Sequence, residues 1–292
     1  MPHPVLGDVV DTHLHVWNPE AIHYPWLTHD QTVLDRSFTM DDANRDLRTQ
    51  GVERVILVQS ADNKADSELM LFQALAHREV AGVVAWVPLA TPDAAAAQLD
   101  AWRHEPVVGI RHLVHHEPDP NWLLRPDVND GLALLAERGL AFDVCAATPE
   151  ILAHIPLLAH QHPQLRLVVD HLGSPPLAAV RDGDLNAWHR WDALIAEAAK
   201  APNVYGKISG LATAAGRGWT PAELRPVVER ACEVFGPERL MIGSDWPRCL
   251  LASDSYSDAW SGTRATLNQL TDDQRISVLS ETAAEVYRLP SD

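Results

Sequence analysis

The sequence contains few cysteines, and they are far apart. Of its 292 residues only Cys145, Cys232 and Cys249 are cysteine, and no two of them form a CxxC pair. An odd number of widely spaced thiols does not suit a disulfide framework, so the cysteine content favours a reducing compartment. We therefore expect a cytoplasmic protein.

Positive charge is also scarce. Lys and Arg together number 23 against 40 for Asp and Glu, which gives a formal net charge of −17. A field of this sign repels phosphate backbones and anionic lipid headgroups. The sequence therefore predicts neither a nucleic-acid partner nor a membrane-surface partner.

Long apolar segments are missing as well. No run of about 18 apolar residues occurs that could span a bilayer, and the first residues have neither the basic nor the apolar region of an export signal. We therefore expect no membrane span and no export. The composition that is present, 46% hydrophobic and 22% charged residues, is typical of a globular protein with a large core.

Short segments rich in β-branched residues alternate with longer segments of helical periodicity along most of the chain. This alternation is typical of strands and crossover helices around a parallel sheet. The predicted strands are Val9–His15, Arg54–Gln59, Gly82–Leu89, Val107–Leu113, Leu140–Cys145, Leu165–Leu172, Val204–Ser209 and Leu240–Asp245. Helical spacing is clearest over Asp66–Glu79, Asp93–His104, Asp127–Arg138 and Ala187–Lys200.

Eight such units, with no Ser/Gly-rich linker between them, predict an α/β fold: a (β/α)8 TIM barrel that forms a single domain over residues 1–292. Two helix starts are marked by capping boxes, because Thr220 and Thr271 each stand three residues before Glu or Gln. The segment 17–38, rich in Trp, Pro and His, forms a long loop after the first strand. Loops at that place in a barrel line or cover a binding site.

Ionisable residues stand at the ends of predicted strands, where barrels place their active sites. The first strand ends Asp11-Thr12-His13-Leu14-His15, and the period of two puts Asp11, His13 and His15 on one side. A His-X-His pair at this position has the spacing of metal ligands. His171 and Asp245 end the sixth and eighth strands, so we expect them at the same height as the histidine pair.

Further charged residues belong to the middle strands. The fourth strand contributes Arg111 and His112, of which one points inward, the fifth contributes Asp143 and the seventh Lys207. Arg111 and Lys207 are candidates for substrate contact, and the alternative is that they pair with buried carboxylates. Asp143 is either part of the site or an acceptor that orients a histidine.

Tryptophan is abundant, with ten Trp against four Phe and four Tyr. Several fall in loops after strands, where an indole face can stack on a sugar-like ring or exclude water. The loop set is Trp17, Trp26, Trp122 and Trp246, of which Trp26 and Trp246 are the candidate substrate contacts. We interpret His112, His115 and His116 as loop or supporting residues, and Cys145 as a packing residue of its strand.

Three of these segments resemble the amidohydrolase superfamily: Asp-Thr-His-Leu-His-Val-Trp at 11–17, Val-Val-Asp-His-Leu-Gly at 168–173 and Ile-Gly-Ser-Asp-Trp-Pro at 242–247. Other segments resemble its sugar-lactonase branch, of the amidohydrolase 2 type. They are Gly-Ile-Arg-His at 109–112, Glu-Pro-Asp-Pro-Asn-Trp-Leu-Leu at 117–124 and Tyr-Gly-Lys-Ile-Ser-Gly at 205–210. The resemblance covers nearly the whole chain.

The resemblance implies that His13, His15, His171 and Asp245 are the catalytic cluster and the metal ligands, with Arg111 as a contact to substrate. It implies a hydrolase that opens an aldonolactone, such as L-fucono- or L-rhamnonolactone, with Asp245 as the base for water. The strands that supply bridging groups in binuclear members carry Arg111, His112 and Asp143 here. This implies a site for one divalent ion at most, with Zn²⁺ as the first candidate. Metal-independent lactonases belong to the same branch, so activity without an ion stays open.

Other functions share the pattern. The alternatives are a Zn-dependent decarboxylase of an aromatic or unsaturated acid, a hydrolase of a non-sugar dicarboxylate lactone, and a binding protein for sugar acids that performs no reaction. The sequence leaves open which lactone stereochemistry and ring size are accepted. It also leaves open whether apolar helix faces support a homodimer.

Overall fold

The computed structural model describes residues 9–28 and 33–290. Eight strands form one sheet in sequence order, and every neighbouring pair is parallel. A parallel bridge between Leu14 and Trp246 brings the last strand back to the first, so the sheet nearly closes. The strands are β1 (Val10–Leu14), β2 (Arg54–Val58), β3 (Val80–Ala85), β4 (Val107–His112), β5 (Ala141–Val144), β6 (Arg166–Val169), β7 (Val204–Ile208) and β8 (Leu240–Ile242).

Helices follow the strands and form the outer layer of the barrel, which confirms the predicted (β/α)8 fold. Thr220 and Thr271 both make the predicted capping boxes. No helix in the described part of the chain has the length and apolarity needed to cross a membrane. The helices are α1 (Met40–Thr49), α2 (Lys64–Ala76), α3 (Pro92–Ala101), α4 (Pro126–Arg138), α5 (Pro149–Gln161), α6 (Leu177–Arg181), α7 (Leu185–Ala199), α8 (Leu211–Ala215), α9 (Pro221–Phe235), α10 (Tyr256–Ala265), α11 (Asp272–Ile276) and α12 (Thr282–Tyr287).

The strands bury both of their faces, because successive side chains point alternately into the barrel and toward the helices. The apolar part of the interior includes Ile56, Val84 and Met241, and residues of α12 pack against it. The last helix therefore closes the end of the barrel where the strands begin. Polar side chains occupy the opposite end of the interior.

Every predicted strand ends earlier in the structure than expected, and the third, sixth and eighth do so by three residues or more. The sixth strand stops at Val169, and a 3₁₀ turn follows over Asp170–Gly173. His171 and Leu172 adopt left-handed backbone angles there, with φ of 54° and 49°, so the strand cannot continue. The long loop after β1 begins and ends at a bridge between Trp17 and Phe38, and its residues 29–32 lie outside the described residues.

The prediction that Asp11 shares a side with His13 and His15 is wrong. The register of β1 against β2 shifts after Asp11, which breaks the period of two. The Asp11 carboxylate accepts hydrogen bonds from the backbone N–H of Ser244 (2.8 Å) and from the Tyr256 hydroxyl on α10 (3.1 Å). Asp11 therefore joins β1 to the segment after β8, where the barrel closes.

We expect Asp11→Ala to lower the free energy of unfolding by about 2 to 4 kcal/mol, because it leaves several buried donors without an acceptor. Tyr256→Phe is the matched control, since it removes one hydrogen bond and is expected to cost about 1 kcal/mol. Urea unfolding measures both. Equal losses in the two variants would show that the bonds to the backbone contribute nothing.

Candidate active site

His15 lies at the mouth of the barrel, and its hydrogen bonds determine which ring nitrogen carries the proton. Its Nδ1 is 2.7 Å from the carbonyl oxygen of Val58, which can only accept a hydrogen bond. Nδ1 therefore carries the proton, and Nε2 presents a bare lone pair. That Nε2 lies 3.4 Å from Oδ1 of Asp245.

Two more imidazoles face the same carboxylate oxygen. The Nε2 atoms of His13 and His171 lie 3.9 and 4.0 Å from Oδ1 of Asp245. His171 is oriented by Ser209, whose Oγ is 2.8 Å from its Nδ1. Gly210 permits this contact, because a Cβ at that position would lie 2.6 Å from the His171 Nδ1. The four residues predicted as the cluster are thus brought together.

Backbone conformation places two of these side chains. Asp245 has φ of 58°, so it too is left-handed, and its N–H donates to the carbonyl of His13 at 2.8 Å. Left-handed conformations cost energy in residues other than glycine, and they persist where the surrounding structure holds them. At His171 and Asp245 this conformation turns the side chain toward the shared centre.

The cluster fits a divalent cation. Ligand atoms of His13, His15 and Asp245 all lie within 4.8 Å of one another. Oδ1 of Asp245 is buried and has no hydrogen-bond donor among the described residues. A bare imidazole lone pair facing a carboxylate oxygen is repulsive unless a cation lies between them, and His and Asp are ligands that Zn²⁺ accepts.

The protonation states of the cluster residues agree with a site for a divalent cation. Burial lowers the pKa of His13, His15 and His171, so their rings are neutral and can act as ligands. Burial alone would raise the pKa of Asp245, but the neighbouring His171 and His15 outweigh it and hold that pKa below its usual value. The site therefore contains neutral imidazoles around an ionised carboxylate.

Buried ion pairs lie beneath His13. The Lys207 ammonium donates to Oδ2 of Asp143 at 2.5 Å and lies 3.4 Å from Nδ1 of His13. Arg111 donates to Oδ2 of Asp170 at 3.1 Å, and Oδ1 of Asp170 lies 3.3 Å from the His13 Nδ1. Because a buried charge requires a partner, these pairs hold each other and His13 in place.

The last helix reaches this network from below. The Tyr287 hydroxyl on α12 donates to the Asp143 carboxylate at 2.9 Å. Burial raises the pKa of Asp143 to about 6, against the opposing attraction of Lys207. Asp143 therefore bonds to Lys207 and Tyr287 rather than directly to a histidine, and it does not line the cavity.

A cavity of about 190 Å³ opens above the cluster. His15 and His171 reach its floor, and the indoles of Trp17 and Trp26 form a wall. The half-buried Arg248 lies against that wall, with its Cζ 5.3 Å from the centre of the Trp26 ring. The other lining residues are Ser60, Arg111, Leu113, His115, His116, Cys145, Ala147 and Ser174.

The predicted substrate contacts divide into two groups. Arg111 and Trp26 line the cavity, as a contact residue must. Lys207 and Trp246 do not line it: Lys207 is fully buried against Asp143, and Trp246 packs edge-on against Phe38. The structure therefore does not bring these two residues to the cavity lining: Lys207 lies beneath His13 in the barrel interior, and Trp246 packs against Phe38.

Several lining residues were missed or given another role. The sequence indicates loop, supporting or packing roles for His115, His116 and Cys145, yet all three line the cavity. Arg248 was not singled out at all. Its signal was its position three residues after Asp245, at the mouth end of the last strand. His112 points outward instead and stacks on Trp122, with ring centres 4.1 Å apart.

Fold and site together define a class: a (β/α)8 barrel enzyme whose histidines and aspartate can hold a divalent metal ion. The chain belongs to the amidohydrolase family, whose model matches residues 10–289. This membership confirms the predicted superfamily and the prediction of a hydrolase.

Two named relatives and one solved structure are similar to this chain over nearly its whole length. The chain is 33% identical over 291 residues to an L-fucono-1,5-lactonase of Burkholderia multivorans, with 96% of each chain covered. It is 33% identical over 287 residues to an L-fucono-1,5-lactonase of Burkholderia ambifaria, with 96% of this chain and 95% of the other covered. A solved amidohydrolase structure from Burkholderia multivorans with bound zinc has a TM-score of 0.89 and 31% identity, covering 97% of this chain and 100% of that one.

We expect the protein to bind one Zn²⁺ per chain. His15→Asn and Asp245→Asn each remove a ligand, and we expect either change to weaken zinc affinity by more than about 100-fold. Competition with a chromophoric chelator measures the affinity, and elemental analysis measures the stoichiometry. His104→Asn, on the exposed surface, is the control. Two ions per chain, or unchanged affinity in both variants, would contradict the assignment.

Lys207→Met leaves Asp143 as an uncompensated buried charge. We expect it to lower the free energy of unfolding by about 3 to 5 kcal/mol. The double variant Lys207→Met/Asp143→Leu removes both charges, so it is expected to recover much of that stability. Urea unfolding of the three proteins tests the pair, and an unchanged midpoint in Lys207→Met would show that the ion pair is not needed.

Proposed function

We propose that this protein is a hydrolase that opens a sugar lactone by attack of water on the lactone carbonyl. The observation that carries the proposal is Oδ1 of Asp245, a buried carboxylate oxygen that accepts from no donor within residues 9–28 and 33–290. The Nε2 atoms of three neutral imidazoles lie 3.4 to 4.0 Å from it. Such an oxygen can act as the general base that takes a proton from water, and the neutral imidazoles beside it can act as ligands of a divalent ion. The names of the two Burkholderia relatives make L-fucono-1,5-lactone the first candidate substrate.

The proposed reaction uses Asp245 twice. The carboxylate accepts a proton from water as the water oxygen bonds to the lactone carbonyl carbon. When the ring C–O bond breaks, protonated Asp245 gives that proton to the leaving ring oxygen. The products are a hydroxyl group and a carboxylic acid, which ionises at neutral pH and releases a proton to solvent.

The other residues of the cluster position these groups. His13, His15, His171 and Asp245 would hold a divalent ion, which when bound polarises the carbonyl and lowers the pKa of water. Val58 and Ser209 fix the orientations of His15 and His171 through their Nδ1 atoms. The ion pairs beneath His13 fix its ring in the same way, so the donors are preorganised.

The cavity suits one sugar ring. Its volume of about 190 Å³ matches a single small molecule rather than a chain of sugars. Trp26 offers an indole face of the kind that packs against the C–H face of a pyranose, and the buried Trp17 supports it with ring centres 5.1 Å apart. His115, His116 and Ser174 add polar groups within reach of hydroxyls at the open side of the cavity.

Proton release from a panel of L- and D-aldonolactones, measured near neutral pH with chelated and zinc-loaded protein, tests this function. We expect rapid acidification with L-fucono-1,5-lactone or a lactone of related configuration. Acidification only with an aryl or dicarboxylate lactone would replace the sugar by that substrate class. Release of CO₂ from an aromatic or unsaturated acid would assign a decarboxylase, and calorimetric binding without consumption would assign a binding protein.

Asp245→Asn keeps the shape of the side chain but removes the base. We expect it to lower kcat for the lactone by about 10³-fold or more, because proton transfer and leaving-group protonation are both lost. Asp254→Asn, on an exposed carboxylate, is the matched control. Full activity in Asp245→Asn would exclude the scheme.

A further inference from the structure

The lining of the active-site cavity differs in charge from the protein as a whole. The chain has a net charge of −17, yet none of the thirteen residues that line the cavity is Asp or Glu. Two of them are arginines, Arg111 and Arg248. A lining without carboxylates in so acidic a protein is a local environment for an anion.

The two arginines are not equivalent. Arg111 is 4% exposed, and its guanidinium is bonded to the Asp170 carboxylate and to the carbonyl of Gln59. Its charge is therefore already neutralised by the protein. Arg248 forms no ion pair with any residue in the described ranges, and its Cζ lies 5.3 Å from the Trp26 ring centre. Its charge is available to a ligand.

Arg248 also lies close to the reacting groups. It begins the 3₁₀ turn Arg248–Leu251, directly after Asp245-Trp246-Pro247. Its charge acts on both His171 and Asp245, and it shares the cavity lining with His15 and His171. An anion formed at the cluster is thus formed within the field of this guanidinium.

A neutral lactone has no charged group with which Arg248 could form an ion pair. Opening the ring converts the carbonyl carbon into a carboxylate, which is the form that a guanidinium binds with paired N–H donors. We propose that Arg248 is a substrate-site residue that binds the carboxylate of the ring-opened sugar acid, and that it makes the cavity selective for this anion over the neutral sugar of the same configuration. The inference rests on the proposed lactonase function.

Calorimetry with two ligands, L-fuconate and neutral L-fucose, tests the inference without turnover. We expect the wild-type protein to bind L-fuconate about 10- to 100-fold more tightly than L-fucose, as a charge-assisted bond to an otherwise unpaired guanidinium requires. Arg248→Gln is expected to remove this preference while L-fucose binding stays within about two-fold. Arg248→Lys keeps the charge without the paired donors and is expected to be intermediate. Arg190→Gln, on an exposed arginine, is the control.

Each outcome has a distinct meaning. If the preference for L-fuconate persists in Arg248→Gln, or disappears from the wild type on chelation alone, the carboxylate is bound elsewhere and the inference fails. If Arg248→Gln weakens both ligands equally, Arg248 recognises hydroxyls instead, and the inference fails as well. Circular dichroism of each variant shows that it is folded.

Failure of the lactonase function gives a different result. In that case wild-type protein would release no protons from any lactone, whatever the two dissociation constants are. A lactonase in which L-fuconate competes no better than L-fucose would instead retain the function and overturn the role of Arg248.

Discussion

The geometry of the site depends on the pairing of charged side chains that are buried in the barrel interior. Asp143, Asp170, Lys207 and Arg111 are all buried in its interior, and isolated charges there would be too costly to keep. They form two pairs of opposite sign, and His13 contacts members of both. The ring of His13 is therefore held by electrostatic constraints from below, while its Nε2 faces the common carboxylate of Asp245.

This arrangement explains why the last helix belongs to the architecture of the site. Helix α12 closes the end of the barrel remote from the cavity, and the Tyr287 hydroxyl donates a hydrogen bond to Asp143. A continuous line of contacts then runs from Tyr287 through Asp143 and Lys207 to His13. Packing at the bottom of the barrel and geometry at its mouth are parts of one polar network.

Barrel closure and site geometry are linked in the same way. β8 ends at Ile242, and the segment after it is hydrogen-bonded to β1. The N–H of Asp245 donates to the carbonyl of His13 at 2.8 Å, and the N–H of His15 donates to the carbonyl of Trp246 at 2.7 Å. The residues that complete the barrel are thus the residues that carry the cluster. Above them the lining consists of imidazoles, indoles and two arginines, together with small and apolar residues. The carboxylate of the reacting centre therefore lies below a cavity lining that has no carboxylate.

The sequence by itself determined the barrel and four residues of the cluster. Hydrophobic alternation and capping residues specify strands and helices locally, and barrel geometry brings the carboxyl ends of strands together, so His13, His15, His171 and Asp245 could be grouped without coordinates. The tertiary structure alone decided the rest. The register shift that turns Asp11 away, the left-handed turns at His171 and Asp245, and the burial of Lys207 and Trp246 depend on contacts between segments distant in the chain. For the same reason Arg248 could be distinguished from Arg111 only in three dimensions, because whether a guanidinium already has a carboxylate partner is a property of the folded interior.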